Sequence, residues 1–363
     1  MPTPFTPLRI RDLDIPNRLW MSPMCTYSAD WDGAAVGSPT DFHLAHYTAR
    51  AAGGAGLVMI EATGVRADGR ISPYDLGLWN DTQTASFVRL AQAISAAGAV
   101  PGIQLAHAGR KASVDKPWLG GESLPEDSRG WRTVGPSAHP FPGYTAPAEL
   151  SHTEIAAIVT AFAEAAERAL AAGFQVVEVH AAHGYLLHSF LSPVSNSRDD
   201  SYGGDFEGRT RFPLQVIDAV RKVWPEDLPV FLRVSTTDWI AENPADDRPS
   251  WTLEDSIEFA RLATEHGVDL VDCSSGGTEP VPIPRDRDYQ TRNAARIRSE
   301  GAVRVAAVGR ISDPEWAAEL ISTGRADALF LGRPLLRDAS WINNAAPTLG
   351  VRPRFVEQYD YAL

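Results

Sequence analysis

The sequence predicts a single-domain (β/α)8 barrel, with long insertions after the third and fourth strands. Three observations carry that expectation. Short β-branched or apolar runs alternate eight times with Ala-rich segments of helical length. No composition shift or Pro/Ser-rich linker divides the 363 residues, and α/β barrels of about 250 residues or more are commonly one domain. The two segments that break the repeat both follow strand ends, the face on which barrel enzymes carry functional loops.

In chain order the expected strands are RLWMSPMC (18–25), GLVMIEAT (56–63), VPGIQLAH (100–107), VVEVHAAH (176–183), PVFLRVST (229–236), LVDCSSG (270–276), VRVAAVG (303–309) and ADALFLG (326–332). Helical segments such as DFHLAHYTARAAG, TASFVRLAQAISAAG, SHTEIAAIVTAFAEAAERALAAG and TLEDSIEFARLATEHG lie between them. Several open on a Ser, Thr or Asp cap and many end in Gly, as helix starts and stops do. The insertions are about 40 residues after the third strand and the run HSFLSPVSNSRDDSYGGDFEGR after the fourth. A doubly wound sheet would announce itself by G-x-G-x-x-G after the first strand. The nearest match, GGAG at 53–56, ends a helix and precedes a strand, the reverse context.

Composition narrows the function. A formal net charge of -13, with no long Lys/Arg run, argues against a nucleic-acid partner. There is no apolar leader and no stretch of about 18 uninterrupted apolar residues, so a cytoplasmic protein without a membrane partner is expected. Cys25 and Cys273 are the only cysteines and have no C-x-x-C companion. A disulfide framework, a structural zinc and an iron–sulfur cluster therefore lack ligands.

Strand alternation selects the candidate site. In VVEVH, Val177 and Val179 share one face while Val176, Glu178 and His180 share the other. With the first pair against the helices, His180 lines the barrel mouth, and His183 and Tyr185 follow in the turn around Gly184. Two neutral imidazoles donating to one oxygen, with Tyr185 as proton donor, form a self-sufficient proton-chemistry site. The alternative is a divalent-metal hydrolase or lyase using His180 and His183. An i, i+3 pair at a strand end makes no automatic chelate, and H-E-x-x-H is missing. Cys25, Tyr27, Gln104 and Arg233 add polar groups at other strand ends. A guanidinium in the barrel wall needs an anion, either a ligand or an ion-pair partner in Glu178 or Asp272. Finally, VGRI and LGRP place Gly309-Arg310 and Gly332-Arg333 after strands 7 and 8, where barrels often grip phosphate. The ring suggests a phosphorylated cofactor lying across the mouth.

The motifs PMCTY, EAT, GIQLAHAGRKA, HAAHGYLLHSFLSPVSNSRDDSYGGDFEGRTRF and LGRPLL resemble the Old Yellow Enzyme family of flavin-dependent ene-reductases over nearly the whole chain. The Cys25/Tyr27 pattern and the short length are similar to its thermophilic-like subclass. The resemblance implies an NAD(P)H-dependent flavin oxidoreductase of the NADPH dehydrogenase type, with non-covalent FMN, that reduces activated alkenes by a ping-pong mechanism. It implies that Ser22, Pro23, Met24, Cys25, Ala62, Gln104 and Arg233 contact the flavin ring, Gln104 by hydrogen-bonding its pyrimidine edge and Arg233 beside N1/C2. Gly309, Arg310, Gly332 and Arg333 would hold the phosphate. His180 and His183 would take the substrate carbonyl, flavin N5 would deliver hydride to Cβ, Tyr185 would protonate Cα and Tyr27 would close over the substrate. A homodimer or homotetramer is the family expectation. Some members end in an arginine followed by Gly-Trp that enters a neighbouring subunit's site. Here the chain ends FVEQYDYAL, with Tyr359 and Tyr361 in that region.

Overall fold

In the computed structural model, which describes residues 1–362, the chain opens with an antiparallel hairpin of β1 (Leu8–Ile10) and β2 (Leu13–Ile15). The barrel strands β3 (Leu19–Met21), β4 (Leu57–Gly64) and β5 (Val100–Ala106) follow. A short parallel pair, β6 (Val134–Gly135) and β7 (Ala148–Glu149), lies within the first insertion. Five more barrel strands complete the set: β8 (Val176–Ala181), β9 (Val230–Ser235), β10 (Leu270–Ser274), β11 (Val305–Val308) and β12 (Ala328–Leu331). All eight barrel strands run parallel and close in the order β3-β4-β5-β8-β9-β10-β11-β12.

The long helices pack outside: α1 (Asp41–Ala52), α2 (Asp81–Ala96), α3 (His152–Ala171) and, after β8 and the short, buried α4 (Leu186–Leu191), α5 (Phe206–Val223). α6 (Leu253–Glu265), α7 (Thr291–Gly301), α8 (Pro314–Ser322) and the short α9 (Arg333–Arg337) and α10 (Trp341–Ala345) complete the ring. Ser151 and Thr252 form capping boxes with Glu154 and Asp255, satisfying amides at the starts of α3 and α6. The GGAG glycines do end α1: Gly53 caps it, and Gly54 turns at φ +104° into β4. No helix among the described residues is long and apolar enough to cross a membrane.

Alternate residues divide each strand between two cores. Val177, Val179, Leu232 and Cys273 face the helices, whereas Val176, Phe231 and Leu270 fill the barrel floor. There Trp20 stacks on Phe231 with ring centroids 5.7 Å apart and meets Phe330 edge-on at 5.4 Å. Leu8, Ile10 and Ile15 of the hairpin cover this cluster from below, a plug that strand periodicity did not reveal because it precedes the repeat. Seven of the eight expected strands run past the ones that form, and the excess matters most at β3 and β8. β3 stops at Met21, so Cys25 lies four residues beyond it rather than at its end. β8 stops at Ala181, because His183 turns to φ +60°. Tyr359 and Tyr361 are exposed on the C-terminal turn.

Candidate active site

Above the floor the inward side chains become polar, two residues further along the same strands. β8 carries Val176, Glu178 and His180 in succession; β9 carries Phe231, Arg233 and Ser235; β10 carries Leu270, Asp272 and Ser274. Register sets Glu178 beside Gln104 of β5, and Arg233 beside both Asp272 and His180. Gln104 Nε2 donates to Glu178 Oε1 at 2.8 Å, and Arg233 Nη1 donates to Ser22 Oγ at 3.2 Å. Arg233 Nε lies 3.2 Å from Asp272 Oδ2, yet both atoms lack a hydrogen bond of proper alignment. At that distance the charges attract whatever the angle, so the contact is a Coulombic pair with unused hydrogen-bonding capacity. Burial, then the charge of Asp272, pushes the Glu178 carboxyl up; burial also raises Asp272, opposed by Arg233. Glu178 Oε2 is likewise unpartnered. Such a layer loses stability unless a ligand satisfies it.

The mouth sits on this layer. Ala182 N–H donates to His180 Nδ1 at 3.2 Å, which places the His180 proton on Nε2. That Nε2 lies 3.4 Å from His183 Nδ1, and His183 Nε2 reaches Ser274 Oγ at 2.7 Å. Burial first, then the Arg233 charge, lowers both imidazoles well below their ordinary value, so both are neutral; His183 Nδ1, facing the His180 Nε2–H, accepts, which leaves the His183 proton on Nε2. The His180 and Tyr185 ring centroids are 5.1 Å apart. Burial raises the Tyr185 phenol well above 10, with Cys25 and Tyr27 adding, so it keeps its proton. Among the described residues no group of three or more His, Cys, Asp and Glu is placed to hold a metal ion.

The loop bearing His183 is locked by backbone contact. Gly184 (φ +74°) and Gly277 (φ +94°) abut so closely that a Cβ on Gly184 would lie 2.3 Å from Gly277 O. Lys111 Nζ donates to His183 O at 2.8 Å and to Gly277 O at 2.9 Å. Burial, then the Arg110 charge, pulls this ammonium down to about 8. Its Nζ stands 5.3 Å from the Tyr185 ring centroid.

Beyond this mouth, a cavity of about 620 Å³ runs from Ser22, Met24, Arg233 and Ser274 to Gly309, Arg310, Gly332, Arg333 and Arg337. Tyr289 and Gln290 form a wall. Arg310, Arg333 and Arg337 are all exposed on its rim. A Cβ at Gly309 would meet Gln290 Nε2 at 2.6 Å, and one at Gly332 would meet Met24 Sδ at 3.0 Å. Ala62 and Tyr185 share a smaller hollow with Ala106 and Ala108, and Cys25 opens on a groove lined by Phe42, His46 and Trp118. Pro23 is buried beside Ser22, and Tyr27 packs edge-on against Trp118 at 5.7 Å.

The structure thus sets Ser22, Met24, Arg233, Gly309, Arg310, Gly332 and Arg333 around one cavity and His180, His183 and Tyr185 together at the mouth, whereas Ala62 and Cys25 open on adjoining hollows. Ser274, Tyr289, Gln290, Arg337 and Lys111 were not anticipated. Strand parity could have found Ser274, which shares the face of Asp272, and the i, i+4 spacing could have found Arg337 from Arg333. Lys111 ends a three-residue 3-10 turn and Gln290 precedes α7, both too short of context for periodicity to mark them.

The model of the NADH:flavin oxidoreductase / NADH oxidase family matches residues 4–350. The chain belongs to that family. It is 44% identical over 360 residues to an NADPH dehydrogenase of Listeria innocua, covering 99% of this chain and 98% of the relative. An NADPH dehydrogenase of Bacillus subtilis is 42% identical over 357 residues, covering 98% of each. Among solved structures, morphinone reductase superposes with a TM-score of 0.78 at 28% identity, covering 97% of this chain and 91% of that one. An old yellow enzyme homologue from Zymomonas mobilis gives 0.77 at 26% identity, covering 99% and 96%. This chain is accordingly an NAD(P)H-dependent flavin oxidoreductase of the Old Yellow Enzyme family, with FMN as its cofactor. The site fits that group on its own terms. Arg233, with an unsatisfied Nε, lines one side of the cavity above the buried Asp272 and Glu178 carboxyls, three guanidinium groups stand on its rim, and a Cβ at Gly309 or Gly332 would press on Gln290 or Met24.

Proposed function

We propose that this chain acts as one (β/α)8 domain catalysing ping-pong reduction of activated alkenes (α,β-unsaturated carbonyls, maleimides or nitroalkenes) by NAD(P)H. The observation that carries the reading is a pair of neutral imidazoles 3.4 Å apart beside a protonated phenol. Ser22, Pro23, Met24, Cys25, Ala62, Gln104 and Arg233 would hold the FMN ring; Gly309, Arg310, Gly332 and Arg333 would hold its phosphate. When bound, FMN would supply the two-electron redox chemistry between NAD(P)H and the alkene.

The side chains do the rest. His180 and His183 turn their Nε2–H groups onto the substrate carbonyl or nitro oxygen and withdraw electron density from the double bond, a contribution of a few kcal/mol to the transition state. Tyr185 delivers its proton to Cα, and Tyr27 covers the substrate. Arg233, already paired with Asp272, keeps a positive charge beside the reacting group. We also propose a cytoplasmic homodimer or homotetramer.

Purified protein is expected to be yellow and to bleach anaerobically with NADPH or NADH until an enone restores the colour. Colourless protein that cannot be reconstituted with FMN would contradict the reading. A bleached enzyme that no enone, maleimide or nitroalkene re-oxidises would refute the substrate class.

A further inference from the structure

Behind Cys25 and Tyr27 lies a buried network that the proposed chemistry does not use. Glu61 is fully buried in β4, where the ladder to β5 slips between Ile60 and Thr63. Its Oε1 accepts the Thr26 N–H at 2.8 Å and the Thr26 hydroxyl at 3.1 Å. Its Oε2 accepts the Tyr47 hydroxyl at 2.6 Å, and that hydroxyl accepts the Glu61 backbone N–H at 3.0 Å. His43 Nδ1 accepts the Thr40 N–H at 3.0 Å, which leaves Nε2 as a donor facing Thr26 Oγ1 at 3.3 Å. One carboxyl group therefore ties helix α1, the bulge of β4 and the loop after β3.

The chemistry of that position is specific. Thr26 N–H, Thr26 O–H and Tyr47 O–H all present donors, so both oxygens of residue 61 must accept. A glutamine of the same shape would turn an NH2 against a donor at one end. The partners also flank functional positions: Thr26 lies between Cys25 and Tyr27, and Ala62 follows Glu61. Tyr27 occupies φ +53°, a left-handed conformation that an L side chain holds only when its surroundings impose it. The Glu61 charge also acts on the neighbouring thiol, since Asp75 and then Glu61 reinforce the upward push of burial on Cys25. Burial raises Glu61 itself to about 7.

We propose that Glu61 is a positioning residue: through Thr26 it fixes Cys25 and Tyr27 at the mouth, and it sets a negative charge close to the Cys25 thiol. This deepens the flavoenzyme reading and rests on it for its effect on flavin. Because Cys273 is fully buried, Cys25 is the reporter thiol in the protein as purified. At about pH 8.5, where the carboxyl is ionised, Glu61→Gln should speed iodoacetamide alkylation of Cys25 roughly tenfold, the scale of one lost charged hydrogen bond. Peptide mapping locates the label. The same variant should raise the flavin midpoint potential, because a negative charge is gone.

Tyr47→Phe loosens the network but keeps the charge, so it should speed alkylation less and leave the potential unmoved. If Glu61→Gln fails to fold, Glu61→Asp carries the test: its shorter reach should speed alkylation with the potential unchanged. A folded Glu61→Gln with alkylation within about twofold of wild type and an unmoved potential overturns the assignment. Wild-type protein that takes up no flavin overturns the function reading alone, because the alkylation comparison needs no flavin.

Discussion

The floor and the mouth of the barrel are built from the same strands, two to four residues apart, yet they obey opposite rules. At the floor Trp20 stacks on Phe231 and meets Phe330 edge-on among Val176, Leu270 and Met59. Burying such side chains contributes about 1.5 to 3 kcal/mol each. At the mouth Glu178, Arg233, Asp272 and His180 are buried just as deeply, with several atoms left without hydrogen bonds. Unpaired buried polar groups destabilise by about 1 to 3 kcal/mol each. The floor supports the fold; the mouth draws on that stability to keep groups ready for a ligand.

The largest expected effect that breaks the comparison is at the mouth. Tyr185→Phe should slow alkene reduction about 10² to 10⁴-fold while flavin reduction by NAD(P)H stays nearly intact. Stopped-flow measurement of the two half-reactions checks this, and equal loss in both would remove Tyr185 as proton donor. Its melting temperature should hardly change, because Tyr185 is only half-buried and its ring is kept.

Next is the floor. Phe231→Ala should destabilise the fold by about 3 to 5 kcal/mol, read from denaturant midpoints, while folded molecules keep their turnover number. A turnover number that falls with the midpoint would show that the two regions are not separable.

A smaller effect is expected at the far end of the cavity. Arg333→Ala should weaken FMN binding by about 1.5 to 3 kcal/mol, one charged hydrogen-bond set, with the flavin potential unchanged. Fluorescence titration of apoprotein decides it; unchanged affinity would move the phosphate grip to Arg310 and Arg337.

The smallest expected effect is an absence of change. An ordinary imidazole gains its proton near pH 6.5. The folded-state values of His180 and His183 lie well below that because burial and Arg233 disfavour the cation. Both should therefore stay neutral as pH falls from about 7.5 to 5.5. Nitrogen-15 NMR of labelled histidines measures this directly, and protonation of either ring in that window would overturn the donor assignment.

Much of this was legible in the sequence because a strand has a period of two. That period assigned Val177 and Val179 to the helices and Glu178 and His180 to the interior, and it carries over to Arg233, Asp272 and Ser274. Repetition of the βα unit then implied closure, and the two Gly-Arg pairs fell after the strands that close it. The strand ends were read too long at Cys25 and His183, since composition stays apolar or small where the backbone has already left the sheet. The N-terminal plug was missed, because a three-residue hairpin strand is too short for periodicity to register.

The sequence by itself determined the barrel, the inward face of each strand and the chemical character of the mouth, since each depends on residues close together in the chain. Only the tertiary structure decided that Gly184 meets Gly277, that Lys111 bridges their two loops and that Glu61 holds Thr26 and Tyr47. Those contacts join segments 14 to 166 residues apart. Their geometry follows from how closure sets the register of one strand against another, and local pattern carries no information about that distance.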